Sequence, residues 1–286
     1  MELKYKLTYD TLFKMMFVRF PNLLKRLVAA ILRIPVDSIT EFTITNPEIP
    51  PAEIGKKFCR LDICMTVNGQ RVNLEVQVRD EGDYPERTLY HWARLFSSAL
   101  MAGNQYSSLP RVIVISIVNF LMFDCAEYRS EFGALELHRH QMLSDKLSLL
   151  FFEVQKLPKV IDVTNELELM LSLFRAKTEE ELERLEALEV PVVTQAIRAY
   201  REVSVSSEFL ELERLRFEAR CNEASALGHA RDEAFREAEE KWWGVVADKD
   251  AVIADQGAVI ADQGAELADK DAEIARLRAM LSGNDS

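Results

Sequence analysis

Asp62 and Glu75 are the two residues on which chemistry could be built, because a turn signal lies between them. Residues 58–67 and 70–79 alternate apolar and polar side chains, and Asn68-Gly69 joins the two runs. An Asn-Gly pair between alternating runs specifies a two-residue type I′ hairpin. Such a turn fixes the register, with 67 opposite 70 and 65 opposite 72, so Asp62 falls opposite Glu75 on one face. Their Cβ atoms are then expected about 4.5–5.5 Å apart. One face of the hairpin carries Leu61, Ile63, Met65, Val67, Val72, Leu74, Val76 and Val78 and must be core. The other carries Asp62, Cys64, Thr66, Arg71, Asn73, Glu75 and Gln77. Like charges directly opposed weaken a sheet, and Asp and Glu are poor strand formers. A divalent cation between them would compensate, since magnesium takes a few carboxylate oxygens together with water and substrate phosphate. That ion would polarise a phosphodiester and lower the pKa of an attacking water. A solvated face whose charges pair with Arg71 or Lys57 would compensate as well, and the hairpin alone leaves both readings open.

The surrounding elements must place this hairpin in a core. Apolar residues Leu12, Met16, Leu23, Leu24, Leu27 and Ile31 predict a helix over 8–33 that Pro21 kinks or divides. Residues 39–45 alternate as a strand, and 46–57, with three prolines and Gly55, predict a loop. A second helix is expected over 85–102, with Pro85 in its first turn and Gly103 past its end. Residues 111–118 form an unbroken apolar run, the mark of a buried central strand. Segments 134–140 and 147–154 are candidates for two further strands, and His138 and His140 would share a face of the first, a surface feature more than a metal site. The order predicts an α/β (α+β) domain over 1–158.

After Pro158 the composition changes. Residues 159–244 are rich in Glu, Leu, Arg and Ala and predict an acidic helical region. Residues 245–286 carry tandem heptads, with Ile253, Ile260, Leu267, Ile274 and Leu281 seven apart, which predicts a coiled-coil-like helix with a short disordered end and a homo-oligomer formed through it. Gly257 and Gly264 weaken that helix by about 1 kcal/mol each.

Charge follows the same division. The net charge of −12 is a balance of +1 over residues 1–158 (19 Lys and Arg, 18 Asp and Glu) and −13 over 159–286 (16 and 29). The acidity belongs to the C-terminal part and does not exclude nucleic-acid binding by the N-terminal part. Four scattered cysteines form no C-x-x-C pair, so neither zinc nor disulfides are expected. No apolar run reaches transmembrane length and the N-terminus has no signal-peptide pattern, so a cytoplasmic protein without a membrane partner is expected.

Several motifs in order resemble a known family. Lys57-FCRL-Asp62 followed by Glu75-Val76-Gln77 is similar to the signature of the PD-(D/E)XK nuclease superfamily, and within it to the recombination-promoting nuclease and transposase family. The stretch YDTLFKMMF, with Asp10, Phe13 and Lys14, resembles that family's opening helix. RTLYHWARLFSSALMAGNQYSSL, with Arg87, Tyr90, Arg94, Gly103 and Tyr106, resembles its arginine/tyrosine helix, and RVIVISIVNFLMF and FFEVQKLP complete the match over residues 6–158.

The resemblance implies a restriction-endonuclease-like mixed sheet flanked by helices, Mg²⁺- or Mn²⁺-dependent cleavage of DNA, and a role in recombination or mobile-element biology. Asp62 and Glu75 map onto the acidic metal ligands, and the main-chain carbonyl of Val76 onto a third. Gln77 stands where the wider superfamily has lysine, as is usual in this family; a neutral amide can position a water but adds no positive charge. Asp10 is a third acidic candidate, or equally a cap or first-turn acid. Arg87, Tyr90 and Arg94 share one helix face and, with Lys14 and Lys57, are candidates to meet DNA phosphates; a solvated or ion-paired face is the alternative for the helix residues. Against a nuclease stands a second function, a catalytically degenerate nuclease fold that binds DNA or assembles through its heptads.

Overall fold

The computed structural model describes residues 1–45, 48–49, 59–60, 62–100, 103 and 105–282, with backbone alone at 48–49, 59–60 and 279–282. Lys57, Leu61, most of the loop expected over 46–57 and the short C-terminal end from 283 lie outside the described residues.

Pro21 divides the first helical stretch as expected. α1 (Asp10–Arg19) ends at Phe20, which leaves helical geometry at φ −118°, and α2 (Pro21–Leu32) restarts with the proline in its first turn. A proline there has no N–H to lose and its fixed φ suits the start of a helix. Arg33, at φ 56°, closes α2 in the left-handed region. Of the strand expected over 39–45, only β1 (Phe42–Ile44) forms, because the N–H groups of Thr40 and Glu41 donate to the Asn68 side chain instead of a strand ladder. β2 (Glu48–Ile49) and β3 (Cys59–Arg60) pair as a separate antiparallel ribbon.

The hairpin follows as β4 (Ile63–Val67) and β5 (Gln70–Gln77). Asn68 and Gly69 both have positive φ, 47° and 76°, the type I′ geometry that matches the twist of the strands. The register is the expected one, with Val67 opposite Gln70, Met65 opposite Val72 and Ile63 opposite Leu74. Asn68 also ties the turn to the segment before β1, accepting from the Thr40 N–H at 2.9 Å and donating to the Ser38 carbonyl at 2.9 Å.

α3 (Tyr84–Ser97), β6 (Val112–Val118), β7 (Arg129–Leu135) and β8 (Met142–Glu153) complete the sheet, in the order β1-β4-β5-β6-β8-β7. β5, β6 and β8 run parallel to one another and the outer pairs are antiparallel. β6 is buried along its whole length, as a central strand between two parallel neighbours must be. The strand expected over 134–140 is corrected: β7 ends at Leu135, and His138 and His140 lie in the turn to β8. The Glu136 carboxylate accepts the backbone N–H groups of His138 and Arg139, at 3.1 and 2.5 Å, and thereby closes a turn instead of continuing the ladder.

Helices cover both faces, and the architecture is the restriction-endonuclease-like mixed sheet expected. Val72, Leu74, Val76, Ile113, Ile115, Ile117 and Phe152 face α1, α2, α4 (Glu166–Arg175) and α6 (Pro191–Ser204) in one apolar cluster. α5 (Glu179–Glu186) adds Leu182 to that cluster, behind a capping box of Thr178 and Glu181. α3 covers the opposite face, over Cys64, Val112, Val114, Val118 and Phe151. The chain forms two compact units, Met1–Arg214 and Leu215–Ser286. α7 (Ser207–Ser282) begins in the first and makes up the second, where its side chains are almost all exposed. Among the described residues no helix is long and apolar enough to cross a membrane.

Candidate functional site

The hairpin places Asp62 immediately before β4 and level with Glu75 near the end of β5. The two residues are cross-linked through the backbone: the Val76 N–H donates to Asp62 Oδ2 at 3.0 Å, and the Asp62 N–H to Glu75 Oε1 at 3.3 Å. In an extended strand a residue's N–H and C=O point to the same neighbour, so the Val76 carbonyl lies on the Asp62 side as its N–H does. On β6, Ser116 is Glu75's register partner and accepts the Tyr84 hydroxyl at 3.0 Å. The carboxylates thus stand toward the carboxyl ends of two parallel strands, where open α/β sheets place their ligand sites.

Each helical layer sends one basic side chain to the pair. From α1, Lys14 Nζ lies 3.0 Å from Asp62 Oδ1 and 2.7 Å from Asp10 Oδ1. From α3, His91 Nδ1 lies 3.4 Å from Glu75 Oε1, which also accepts the Asn73 amide at 2.7 Å. Glu75 is only 3% exposed, so these donors replace the water it has lost.

The two carboxyls are pushed apart in acidity. Burial, and then the Glu75 charge, push Asp62 up to about 7, and Lys14 only partly counters them. Burial also acts on Glu75, but the hydrogen bond and charge of His91, with Asn73 and the Asp62 N–H, outweigh it and hold that carboxyl below its ordinary value. Burial opposes the Lys14 charge, yet Asp62 and Asp10 together keep the ammonium above its usual range. Facing acids of unlike pKa in a buried site are a feature of functional centres.

The sequence candidates fall into three groups. Asp62, Glu75, Val76, Asp10 and Lys14 come together, with Asp10 in the first turn of α1. Gln77 ends β5 on the same face, half-buried, and its carbonyl accepts the Asn119 N–H at 2.9 Å. Arg87, Tyr90 and Arg94 lie along α3: Arg87 stacks over the Tyr84 ring at 4.8 Å and pairs with Glu81 at 3.2 Å, Tyr90 is exposed, and Arg94 is half-buried.

Three participants are additional to those candidates. His91 lies on the buried stripe of α3 with Tyr84, Thr88 and Leu95, at spacings of four, three and four. That spacing was the signal, since a histidine inside such a stripe must find a polar partner below it. Asn73 is buried because α3 covers what reads in sequence as an open polar face. Glu213, in the second turn of α7, accepts the Tyr9 hydroxyl and, at 2.5 Å, the Thr11 hydroxyl, which flank Asp10; no local pattern links residues so far apart.

Among the described residues no group of three or more His, Cys, Asp and Glu is arranged to enclose a metal by itself. The donor set present is two facing carboxylates with a third acid next to them through Lys14. It fits an ion that takes one or two carboxylates and keeps several waters, as magnesium does.

A mixed sheet sandwiched between helices, with paired acids on a hairpin beside the central strand, defines a protein of the nuclease-fold class. The family model for the PD-(D/E)XK nuclease family transposase matches residues 7–230, and the chain belongs to that family. No curated protein and no solved structure matches it.

Proposed function

We propose that this protein is a divalent-metal-dependent DNA endonuclease, using Mg²⁺ or Mn²⁺, that acts in DNA recombination or mobile-element biology. The observation that carries the reading is the pairing of Asp62 with Glu75 across the type I′ hairpin, locked by the Val76 and Asp62 N–H groups. The nuclease family supplies the substrate class, and PD-(D/E)XK nucleases generally use divalent metals. In this reading Asp62, Glu75 and the Val76 carbonyl hold the ion. When bound, it would activate a water and neutralise charge on the phosphate. His91 and Asn73 keep Glu75 ionised and in place. Gln77 orients the water through its amide, and Asp10 adds a third acid from α1. Arg87, Tyr90 and Arg94, with Lys14 and Lys57, meet phosphates and set position on the duplex, not sequence.

Supercoiled plasmid with Mg²⁺ or Mn²⁺ tests the reading. The full-length protein is expected to nick or linearise it, and Asp62→Ala to lose that activity. Equal rates in the two proteins would overturn the assignment.

The same proposal extends to a homo-oligomer through α7. Trp242, Trp243, Ile253, Ile260, Leu267 and Ile274 are all exposed on it, the last four seven residues apart. A long helix without a packed apolar face draws little stability from propensity alone, and a second copy would cover this seam.

A further inference from the structure

Lys14 occupies the place that a cation at this site would want. Its ammonium lies 3.0 Å from Asp62 Oδ1 and 2.7 Å from Asp10 Oδ1, and its side chain is only 22% exposed. The other Asp62 oxygen is already engaged by the Val76 N–H at 3.0 Å. Asp62 Oδ2 thus already shares its charge with the strand, and Oδ1, the oxygen that Lys14 holds, is the stronger position for an ion. Asp10 and Lys14 are one helical turn apart with the acid first, the favourable order, so α1 itself aims the ammonium. An ammonium and a divalent ion on the same oxygen would repel each other strongly in a site shielded from water. Lysine suits a role that requires release, because it is a point charge on a flexible stem. Gln77, two residues beyond Glu75, offers no charge to a phosphate.

We propose that Lys14 is the resident counter-cation of this site, that a divalent ion enters by exchanging with it at Asp62, and that the released ammonium then serves the substrate phosphate. The proposal rests on the metal-dependent reading above and adds an order of events to it. Before the ion arrives, the lysine neutralises Asp10 and Asp62 and keeps the paired acids from repelling each other. Once the ion sits on Asp62 and Glu75, Lys14 keeps Asp10 as an anchor and swings one donor toward the substrate.

Calorimetry with Mn²⁺ on the full-length protein at pH 8 tests the exchange. Lys14→Met is expected to bind Mn²⁺ about tenfold tighter than the wild type, because the competing charge is gone. Lys14→Arg, which keeps the charge, is expected to stay near the wild type. Plasmid nicking by Lys14→Met is expected to fall by at least about tenfold although its metal site is full. Equal or weaker Mn²⁺ binding by Lys14→Met would overturn the exchange, and tighter binding with undiminished nicking would overturn the substrate role. Absence of Mn²⁺ binding in wild type and variant alike would bring down the metal reading itself, a different result from equal affinities in two proteins that both bind. A measurement on the wild type alone guards against a variant that fails to fold. The Lys14 side-chain ammonium resonance must shift on addition of Mg²⁺, and a resonance that stays in place would refute the exchange.

Discussion

Replacing Asp62 with Asn is expected to stabilise the metal-free protein above neutral pH. The Asp62 carboxyl is moved from an ordinary 3.8 up to about 7 by burial and by the facing Glu75. A tenfold change in proton affinity is worth about 1.4 kcal/mol, so the ionised form costs the fold at most about 4 kcal/mol. The attraction of Lys14 is already contained in that value, and some water reaches the side chain, which is 14% exposed, so we expect about 2 kcal/mol. The sign follows from linkage: a carboxyl whose folded pKa is raised contributes stability fully present below its unfolded pKa. That stability is lost as pH rises through the folded pKa. Wild type and Asp62→Asn should therefore be nearly equal near pH 4 and diverge up to about pH 7, with the variant ahead by about 2 kcal/mol from there upward. Urea unfolding at several pH values in EDTA measures this directly, since the asparagine still accepts the Val76 N–H and the packing is unchanged. Added Mn²⁺ should reverse the order, because only the wild type binds it and binding stabilises the folded state. A variant less stable than wild type at pH 8 in EDTA would refute the reasoning, because the Lys14 pair would then outweigh the burial of the charge.

His91→Ala leaves the buried Glu75 carboxylate without one of its donors, and we expect a loss of about 1–3 kcal/mol by urea unfolding together with weaker Mn²⁺ binding; an unchanged stability would mean that Asn73 and the Asp62 N–H suffice. Deleting 245–286 is expected to reduce the mass seen by light scattering to that of a smaller assembly while plasmid nicking persists, and an unchanged oligomer would remove the heptad helix as its basis.

The hairpin was legible because its information is local. Asn68-Gly69 accepts only one kind of turn, and a two-residue turn leaves only one register, so the pairing of Asp62 with Glu75 followed from a dipeptide and an alternation. The break at Pro21 and the buried β6 were equally local. Burial of the polar face was not, because it depends on α3 packing back over Cys64, Asn73 and Glu75 from further along the chain. At His138 and His140 the cause is local, but a single carboxylate, that of Glu136, decides between strand and turn, and the alternation of apolar and polar residues does not register it. Lys14 could be singled out by type and by its place in a motif, yet its partner Asp62 is set by tertiary packing alone.

That difference explains how the site holds together. The N-cap residue of α1 is Tyr9, whose side chain makes no cap, so the start of the helix that carries Asp10 depends on what else grips it. Tyr9 and Thr11, on either side of Asp10, both donate to the buried carboxylate of Glu213 at the start of α7. A carboxylate buried to 6% exposure without such donors would be strongly unfavourable, so the three groups must stay together or all lose. Lys14 is one turn further along the same helix and takes its aim at Asp62 from that grip. The hairpin fixes the two facing acids locally, whereas the cation between Asp10 and Asp62 is fixed by a residue about two hundred positions downstream. The family match continues past that residue to 230, as it should if the first turns of the long helix belong to the machinery that positions the site.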